Sequence, residues 1–220
     1  MSDAVAEATT AFDAERIADL LRADASTAVL LVRGAARRGV VAAQSLYAQM
    51  LAEGRGVARD PAEALHWFEL AASAGDAEAM NMVGRCHELG HGAPVDAGRA
   101  AAWYRRSAAK GSAWGMYNYA NLLATGRGTQ RDVTRAFAWY LRAAERGHAK
   151  SMNLVGRCCE EGLGVAVDRD TARRWYAKSA EAGDFRGQHS FASVLSEAGL
   201  DDEADYWFRR AAASKAVAYR

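Results

Sequence analysis

The sequence predicts an all-helical solenoid in which antiparallel helix pairs stack one after another. Three observations predict it. One tryptophan recurs every 36 residues, and periods of about 20 to 50 residues are typical of stacked repeats. Glycine and aspartate positions recur with the same period. Between the glycines, apolar residues follow the spacing of three and four that one buried helix face requires. The recurring tryptophans are Trp67, Trp103, Trp139 and Trp175.

The segment 1–40 is predicted to form N-terminal capping helices, a divergent leading unit. Ile17, Leu20 and Leu21 lie at helical spacing. A second apolar helix is predicted over residues 27–38, and it ends at Gly39. A stack of repeats needs a terminal unit whose outer face tolerates water, and this segment fills that place.

Residues 41–184 are predicted to contain four 36-residue repeats, each with two helices that we call A and B. In the first repeat, helix A is predicted over residues 41–53 and helix B over residues 61–74. Helix A stops at Gly54 and helix B at Gly75. Glycine suits the left-handed residue that closes a helix, so the glycine series marks the helix ends.

Helix B carries its own start signal and a buried face. Asp60 is predicted to cap it, Pro61 suits the first helical position, and Glu63 completes a capping-box pattern. Ala64 and Trp67 begin an apolar stripe at spacings of three and four. We therefore interpret the recurring tryptophans as core residues.

Residues 185–220 are predicted to be a degenerate fifth repeat and C-terminal cap. Trp207 follows Trp175 by less than one full period, so the glycine-rich connector between the two helices is shortened. The polar Arg209 and Arg210 suit a terminal helix that faces water.

Charge and hydropathy argue against several partners. Lys and Arg number 28 against 27 Asp and Glu, so a net charge of +1 offers no general attraction for nucleic acid or an anionic membrane. The most apolar short run, residues 29–32, is far below the roughly 18 to 20 residues of a membrane span. Without a basic leader or long apolar run at the start, we expect a cytoplasmic protein. The sequence leaves the oligomeric state open, and we expect a monomer.

The cysteine and histidine residues are predicted to be structural. Cys86-His87 and Cys158-Cys159 could suggest a zinc site, but the two pairs lie two whole repeats apart. Helices of about 10 Å diameter would then separate the pairs by on the order of 20 Å, whereas zinc ligands lie about 2.0 to 2.3 Å from the metal. We expect buried thiols, no metal and no cofactor.

No catalytic constellation is recognisable. The Gly-Arg-Gly-Val sequence at residues 54–57 and its copies lack the preceding strand and the lysine of a phosphate-binding loop, so we interpret them as turns alone. No Ser, Cys or Lys stands in a nucleophile context, and no pair of acids is singled out. The sequence predicts a protein that is not an enzyme.

A residue pattern in the fourth repeat resembles the Sel1-like repeat, a relative of the tetratricopeptide repeat. Several of its positions agree in four successive copies. The resemblance implies a right-handed superhelix with helix A along the concave face, and a role as adaptor or scaffold for a protein or peptide partner. The pattern is Val155-Gly156, Gly162-Leu163-Gly164-Val165, Asp168, Ala172, Trp175-Tyr176, Ser179-Ala180 and Gly183.

By this resemblance, helix A residues that point away from helix B would line the concave face. Positions two before and two after a buried residue such as Val83 meet that condition, and Trp114 and Arg186 are expected to join them one turn earlier. Asn can donate to and accept from a peptide backbone, Arg can hold a carboxylate, and aromatic residues can take an apolar side chain. A hydrated polar face is the alternative. The predicted partner-binding residues are Asn81, Arg85, Trp114, Tyr117, Asn121, Asn153, Arg157, Arg186 and His189.

The sequence thus predicts a non-catalytic adaptor that binds its partner on the helix A face. One alternative is an accessory subunit that positions or stabilises an enzyme through the convex face, and a weaker one is a hydrolase. Arginines would stripe that convex face, although interleaved glutamates favour a solvated, ion-paired surface. These arginines are Arg105, Arg106, Arg142, Arg173, Arg174, Arg209 and Arg210.

Overall fold

The computed structural model describes residue 19 and residues 24–218, with side chains up to residue 216. Residues 24–218 form eleven α-helices and no β-strand, which confirms the predicted all-α class. The helix expected around Ile17, Leu20 and Leu21 lies outside the described residues. The helices are α1 (Ala25–Arg37), α2 (Val41–Glu53), α3 (Pro61–Ser73), α4 (Ala77–Leu89), α5 (Ala97–Ala109), α6 (Ala113–Thr125), α7 (Val133–Glu145), α8 (Ala149–Glu161), α9 (Arg169–Glu181), α10 (Phe185–Glu197) and α11 (Asp201–Ala218).

The helices form two compact halves. The N-terminal half, up to residue 110, contains α1 to α5, and the C-terminal half, from residue 111, contains α6 to α11. Within each half every helix packs against the next one along the chain, as in a helix-pair repeat. In the C-terminal half α8 also packs against α10. Among the residues of both halves that the structure describes, no helix has the length and apolarity of a membrane span.

The helix boundaries follow the local signals closely. Helix A of the first repeat, α2, has the predicted bounds, and helix B, α3, ends one residue earlier than predicted. The helix before them, α1, begins two residues earlier than predicted. It does so because Asp24 caps it: its Oδ1 accepts from the amides of Ser26 and Thr27, both at 3.1 Å.

The A and B helices end and begin as the glycine and aspartate series predict. Gly54 closes α2 at φ 72° and ψ 30°, a conformation that residues with a side chain rarely adopt. Asp60 caps α3, where its Oδ1 accepts from the amides of Ala62 at 3.0 Å and Glu63 at 2.9 Å. The capping box is only half formed, because the Glu63 carboxylate instead accepts from Nε1 of Trp67 at 3.2 Å.

In the cores of the second and fourth repeats, a tyrosine of helix B packs against a glycine of helix A. A Cβ atom at Gly84 would lie 2.6 Å from Cδ1 of Tyr104, and one at Gly156 would lie 2.6 Å from Cδ1 of Tyr176. Only glycine therefore lets the ring approach the helix this closely. The hydroxyl of each tyrosine donates to a glutamate of helix A, at 2.6 Å for Tyr104 and 2.7 Å for Tyr176.

The interpretation of the recurring tryptophans as core residues is wrong for three of the four. Trp67 is buried, but the other three are half-buried. The aromatic residue that follows each tryptophan points inward, so the tryptophan lies at the edge of the core, with a cation of the same helix over its ring. Arg142 Cζ lies 4.8 Å from the ring centroid of Trp139, and Lys178 Nζ lies 4.5 Å from that of Trp175. The half-buried tryptophans are Trp103, Trp139 and Trp175.

The glycine connectors between helices A and B do more than turn the chain, so turn geometry alone does not explain them. Gly164 has a φ of 74°, and a Cβ atom there would collide with the carbonyl oxygen of Val133, the first residue of α7. In the N-terminal half, Gly92 approaches the carbonyl of Pro61, the first residue of α3, in the same way. Each connector thus lies against the start of helix B in the preceding repeat.

Tyr140 should matter more for stability than the larger Trp139 beside it. Tyr140 is only 5% exposed, whereas Trp139 keeps contact with water. Replacing a buried large aromatic residue by Ala costs about 3 to 5 kcal/mol, and Trp139→Ala should cost about half of that. Urea unfolding of Trp139→Ala and Tyr140→Ala measures both free energies of unfolding. A larger loss of unfolding free energy for Trp139→Ala than for Tyr140→Ala would contradict this prediction.

A second prediction separates close packing from backbone conformation. Gly164→Ala should destabilise the chain by at least about 1 kcal/mol more than Gly147→Ala, since inserted bulk in a packed site costs about 1 to 3 kcal/mol. Both glycines have a positive φ, but a Cβ atom at Gly147 would meet nothing within 4 Å. Thermal unfolding of the two variants provides the comparison. Equal losses would show that only the turn conformation matters.

Candidate functional site

In the N-terminal half, α4 carries two of the predicted binding residues. Arg85 is exposed, and its Nη1 lies 3.8 Å from the sulfur of Met82. Asn81 is only 4% exposed, so the expectation that it points away from the core is wrong. Because α4 packs against both α3 and α5, the position two residues before Val83 falls on the covered side of the helix.

In the C-terminal half, Asn153 on α8 repeats this outcome. It is 8% exposed, and its Oδ1 is buried without a hydrogen-bond partner among the described residues. Helix α8 packs against α7, α9 and α10, which covers most of its circumference. Arg157, four residues further along α8, is exposed as expected.

Trp114, Tyr117, Tyr140 and His148 form an aromatic cluster in the C-terminal half. The ring centroid of His148 lies 4.5 Å from that of Trp114 and 4.9 Å from that of Tyr117. Trp114 and Tyr117 are 6.0 Å apart, and Tyr117 and Tyr140 are 6.4 Å apart. Trp114 is nevertheless 44% exposed. The cluster therefore presents one large aromatic side chain to solvent on a base of packed rings.

His148 connects the aromatic cluster to the start of α8, which it caps. Its Nδ1 accepts from the backbone amide of Ser151 at 3.3 Å, and the Ser151 hydroxyl lies 2.8 Å from the same atom. The amide must donate, so Nδ1 is unprotonated and the neutral ring carries its proton on Nε2. Burial, together with the nearby charge of Lys150, lowers the pKa of His148 to about 4. The imidazole is therefore neutral at physiological pH.

Tyr140 and Asn121 form the inner edge of the aromatic cluster. The Tyr140 hydroxyl donates to Oδ1 of Asn121 at 2.6 Å, so this predicted binding residue already has a partner within the fold. Burial raises the pKa of the Tyr140 phenol above its ordinary value, while the positive charge of Arg157 acts in the opposite direction. The phenol thus remains a neutral donor that fixes the Asn121 amide.

Lys150 adds charge to the aromatic cluster, whereas the predicted residues on α10 have other neighbours. Lys150 Nζ lies 5.1 Å from the ring centroid of Trp114. Arg186 is exposed and lies over Phe185, with Cζ 4.6 Å from the ring centroid. The ring of His189 lies 5.2 Å from that of Phe208.

Sequence reasoning missed Tyr140, His148 and Lys150 as members of this site. A signal for His148 was present, because the residues at the corresponding position of the other repeats, 76, 112 and 184, are Asp, Ser and Asp. Among these four positions, His148 departs from the usual N-cap residues. A departure from the repeat at a helix start could therefore have identified it.

The cysteines lie in the core as free thiols. Cys86, Cys158 and Cys159 are all buried. Burial raises the pKa of Cys86 and of Cys158 to about 11, so both are protonated at neutral pH. Across residues 24–216, no group of three or more His, Cys, Asp or Glu side chains is placed to hold a metal ion.

Comparisons with known proteins identify the repeats. The Sel1 repeat model matches residues 41–76, 77–112, 115–148, 149–184 and 201–215, more than half of the chain. A Sel1 repeat protein from Oxalobacter formigenes is similar in structure, with a TM-score of 0.79 and 29% identity over 92% of this chain and 85% of the other. A comparison with curated proteins gave no significant match.

Two further solved structures are similar. The protein c5321, a protective antigen of uropathogenic Escherichia coli with an SLR fold, has a TM-score of 0.76 and 29% identity over 85% of this chain. The match spans only 41% of the length of c5321. The immunity protein Pa5087 from Pseudomonas aeruginosa, with a TM-score of 0.60 and 15% identity over 95% of this chain and 85% of the other, shares the fold.

The lowered pKa of His148 predicts a pH dependence of stability. The unfolded chain binds a proton at His148 near its ordinary pKa of 6.5, whereas the folded chain binds it only near 4. As pH falls from about 6.5 to about 4, the unfolded state gains more protons, so stability is lost in this window. His148→Asn keeps a good N-cap and should lose less stability between pH 7 and pH 5 than the wild type. Urea unfolding at the two pH values tests this, and equal losses would contradict it.

Proposed function

The chain belongs to the Sel1-repeat family, and from that premise we propose that it is a non-catalytic scaffold that binds a protein or peptide partner through the aromatic cluster of its C-terminal half. Proteins built from Sel1 repeats generally act as protein-interaction scaffolds. The exposure of Trp114 is the observation that carries the proposal. A tryptophan that is 44% exposed on a packed base has the character of an interface hot spot.

The size of the exposed ring suits an anchor of binding. Its solvent-exposed part is on the order of 100 Å², and burying that area against a partner contributes about 2 to 3 kcal/mol. His148 contacts the ring of Trp114 at 4.5 Å and Tyr117 at 4.9 Å, so the anchor is preorganised. A rigid aromatic residue loses little side-chain entropy when it is buried, which makes this surface more effective than an exposed flexible residue of equal area.

Positive charge beside the aromatic cluster favours a partner with acidic groups. Lys150 lies against Trp114, and Arg157 is exposed on the same helix, α8. Salt bridges at such exposed positions contribute modestly to affinity, about 0 to 1 kcal/mol each, but they select the partner and speed association. The aromatic ring supplies the larger share of affinity, and the cations supply specificity.

The alternative is an accessory subunit that binds an enzyme through helix B. The half-buried Trp139 and Trp175 would be its anchors, but Arg142 and Lys178 of the same helices lie over their rings. A partner would have to displace these cations before it could use the ring faces. Lys150 lies over the ring of Trp114 in a similar way, but Trp114 is 44% exposed and so offers a larger free area than the half-buried Trp139 and Trp175. For this reason we favour the aromatic cluster.

The proposal predicts that Trp114→Ala weakens partner binding at least tenfold while the melting temperature changes little. Partners retained by the immobilised protein would be identified by mass spectrometry, and their affinity for purified variants measured by calorimetry. Tyr206→Ala is the matched control, because Tyr206 is also an exposed aromatic residue of the C-terminal half, 53% exposed on α11. Unchanged affinity of Trp114→Ala, with loss in Trp139→Ala or Trp175→Ala, would overturn the proposal in favour of the helix B surface.

A further inference from the structure

A small cleft in the N-terminal half lies between α3 and α4, apart from the residues of the aromatic cluster. Its floor is formed by Ala64 and Phe68, which are 1% exposed, and by Cys86. The cleft has a volume of about 60 Å³. One water needs roughly 10 to 15 Å³ on this scale, so the space takes about four to six water-sized groups. That is the size of one aliphatic side chain.

The cleft exists because the first repeat lacks the tyrosine hydroxyl and the glutamate carboxylate that occupy the corresponding place in repeats two and four. Tyr104 and Tyr176 donate to Glu88 and Glu160 in repeats two and four. At the corresponding positions, one and three repeats earlier, the first repeat has Phe68 and Ala52. Both of these residues line the cleft. The missing hydroxyl and carboxylate leave an apolar space where the other two repeats have a hydrogen-bonded pair.

The rim of the cleft is cationic. Arg59 and Arg85 supply its positive charge, His91 lies beside them as a further polar group, and none of the other described lining residues is acidic. Arg59 is held in place because its Nε donates to the carbonyl of Ala52 at 3.0 Å, and its terminal nitrogens are further donors. Arg85 contacts the weak acceptor sulfur of Met82, at 3.8 Å. The apolar floor and cationic rim together favour an occupant that carries both an aliphatic group and carboxylates.

We propose that this cleft binds an acidic peptide segment of a partner protein, with one aliphatic side chain such as leucine against Phe68 and flanking carboxylates on Arg59 and Arg85. Three candidate hydrogen-bond donors surround a space for one side chain, so a peptide with several carboxylates fits better than a peptide with one. The site is independent of the aromatic cluster, since all of its residues belong to the N-terminal half. Failure at either site leaves the other proposal standing.

The test uses the full chain labelled with nitrogen-15 and a capped hexapeptide, Gly-Glu-Leu-Glu-Asp-Gly. Titration should shift the backbone amide signals of Cys86 and His91. Replacing leucine by alanine in the peptide should weaken binding at least tenfold, because most of the aliphatic area that the cleft buries is lost. Replacing the acids by their amides, or raising the salt concentration, should also weaken it. No binding at millimolar peptide, or equal binding of a lysine-containing peptide, would overturn the proposal.

The chain itself suggests the decisive variant. The double substitution Ala52→Glu with Phe68→Tyr adds the carboxylate and the hydroxyl that repeats two and four carry at these positions, although Ala48 stands in place of their glycine. The added bulk and negative charge should fill the cleft and abolish binding. Arg85→Gln should weaken binding about threefold or more, and Arg99→Gln, an exposed arginine outside the cleft, should leave it unchanged. Undiminished binding by the double variant would overturn the proposal. If the double variant does not fold, Arg85→Gln decides, and affinity equal to that of Arg99→Gln would overturn it.

Discussion

Each repeat depends on how closely the inward-facing aromatic ring of its helix B packs against its helix A. In repeats two and four, glycine at positions 84 and 156 allows the tyrosine ring to lie where a Cβ atom would be 2.6 Å from it. In repeats one and three the corresponding residues are Ala48 and Ala120, both fully buried. One methyl group is felt in a packed core, so the ring must sit differently against alanine than against glycine. Repeats two and four therefore resemble each other, although a whole repeat separates them, more than they resemble their neighbours.

Both candidate binding surfaces are found where repeats one and three depart from this arrangement. In repeat three, the Tyr140 hydroxyl has no glutamate at the position of Glu88, which is Ala124, and it donates to Asn121 instead. The Tyr140 ring then lies beside Tyr117 and supports the aromatic cluster. In repeat one, Phe68 has no hydroxyl at all, and the cleft remains. The same structural position thus yields a hydrogen-bonded core, an aromatic surface or a cavity, depending on one or two residues.

The sequence predicted what local interactions determine. Helix ends were placed within one or two residues, because an aspartate cap or a left-handed glycine acts on neighbouring amides and carbonyls. The burial of Asn81 and the half-exposure of Trp139 were not predicted, since both depend on which neighbouring helix covers a given face. Periodicity identifies a stripe of buried positions but not its edges. Of the site, Trp114 and Tyr117 were predicted from their place on helix A, whereas His148 joins them as the N-cap residue of the next helix A, α8.

In the C-terminal half, Trp114 of helix A and the tryptophans of helix B differ in where the residues that contact their rings come from. Trp139 and Trp175 each carry a cation three residues later on the same helix, so their rings are covered by a contact that forms within the helix itself. Such local coverage limits apolar exposure without a partner. Trp114 receives its neighbours His148 and Lys150 from the N-cap and the first turn of another helix, α8, and it remains 44% exposed. Lys150 also lies over the ring of Trp114, at 5.1 Å, but this contact comes from a separate helix and leaves more of the side chain exposed than at Trp139 or Trp175. Trp114 therefore offers a partner the larger apolar area.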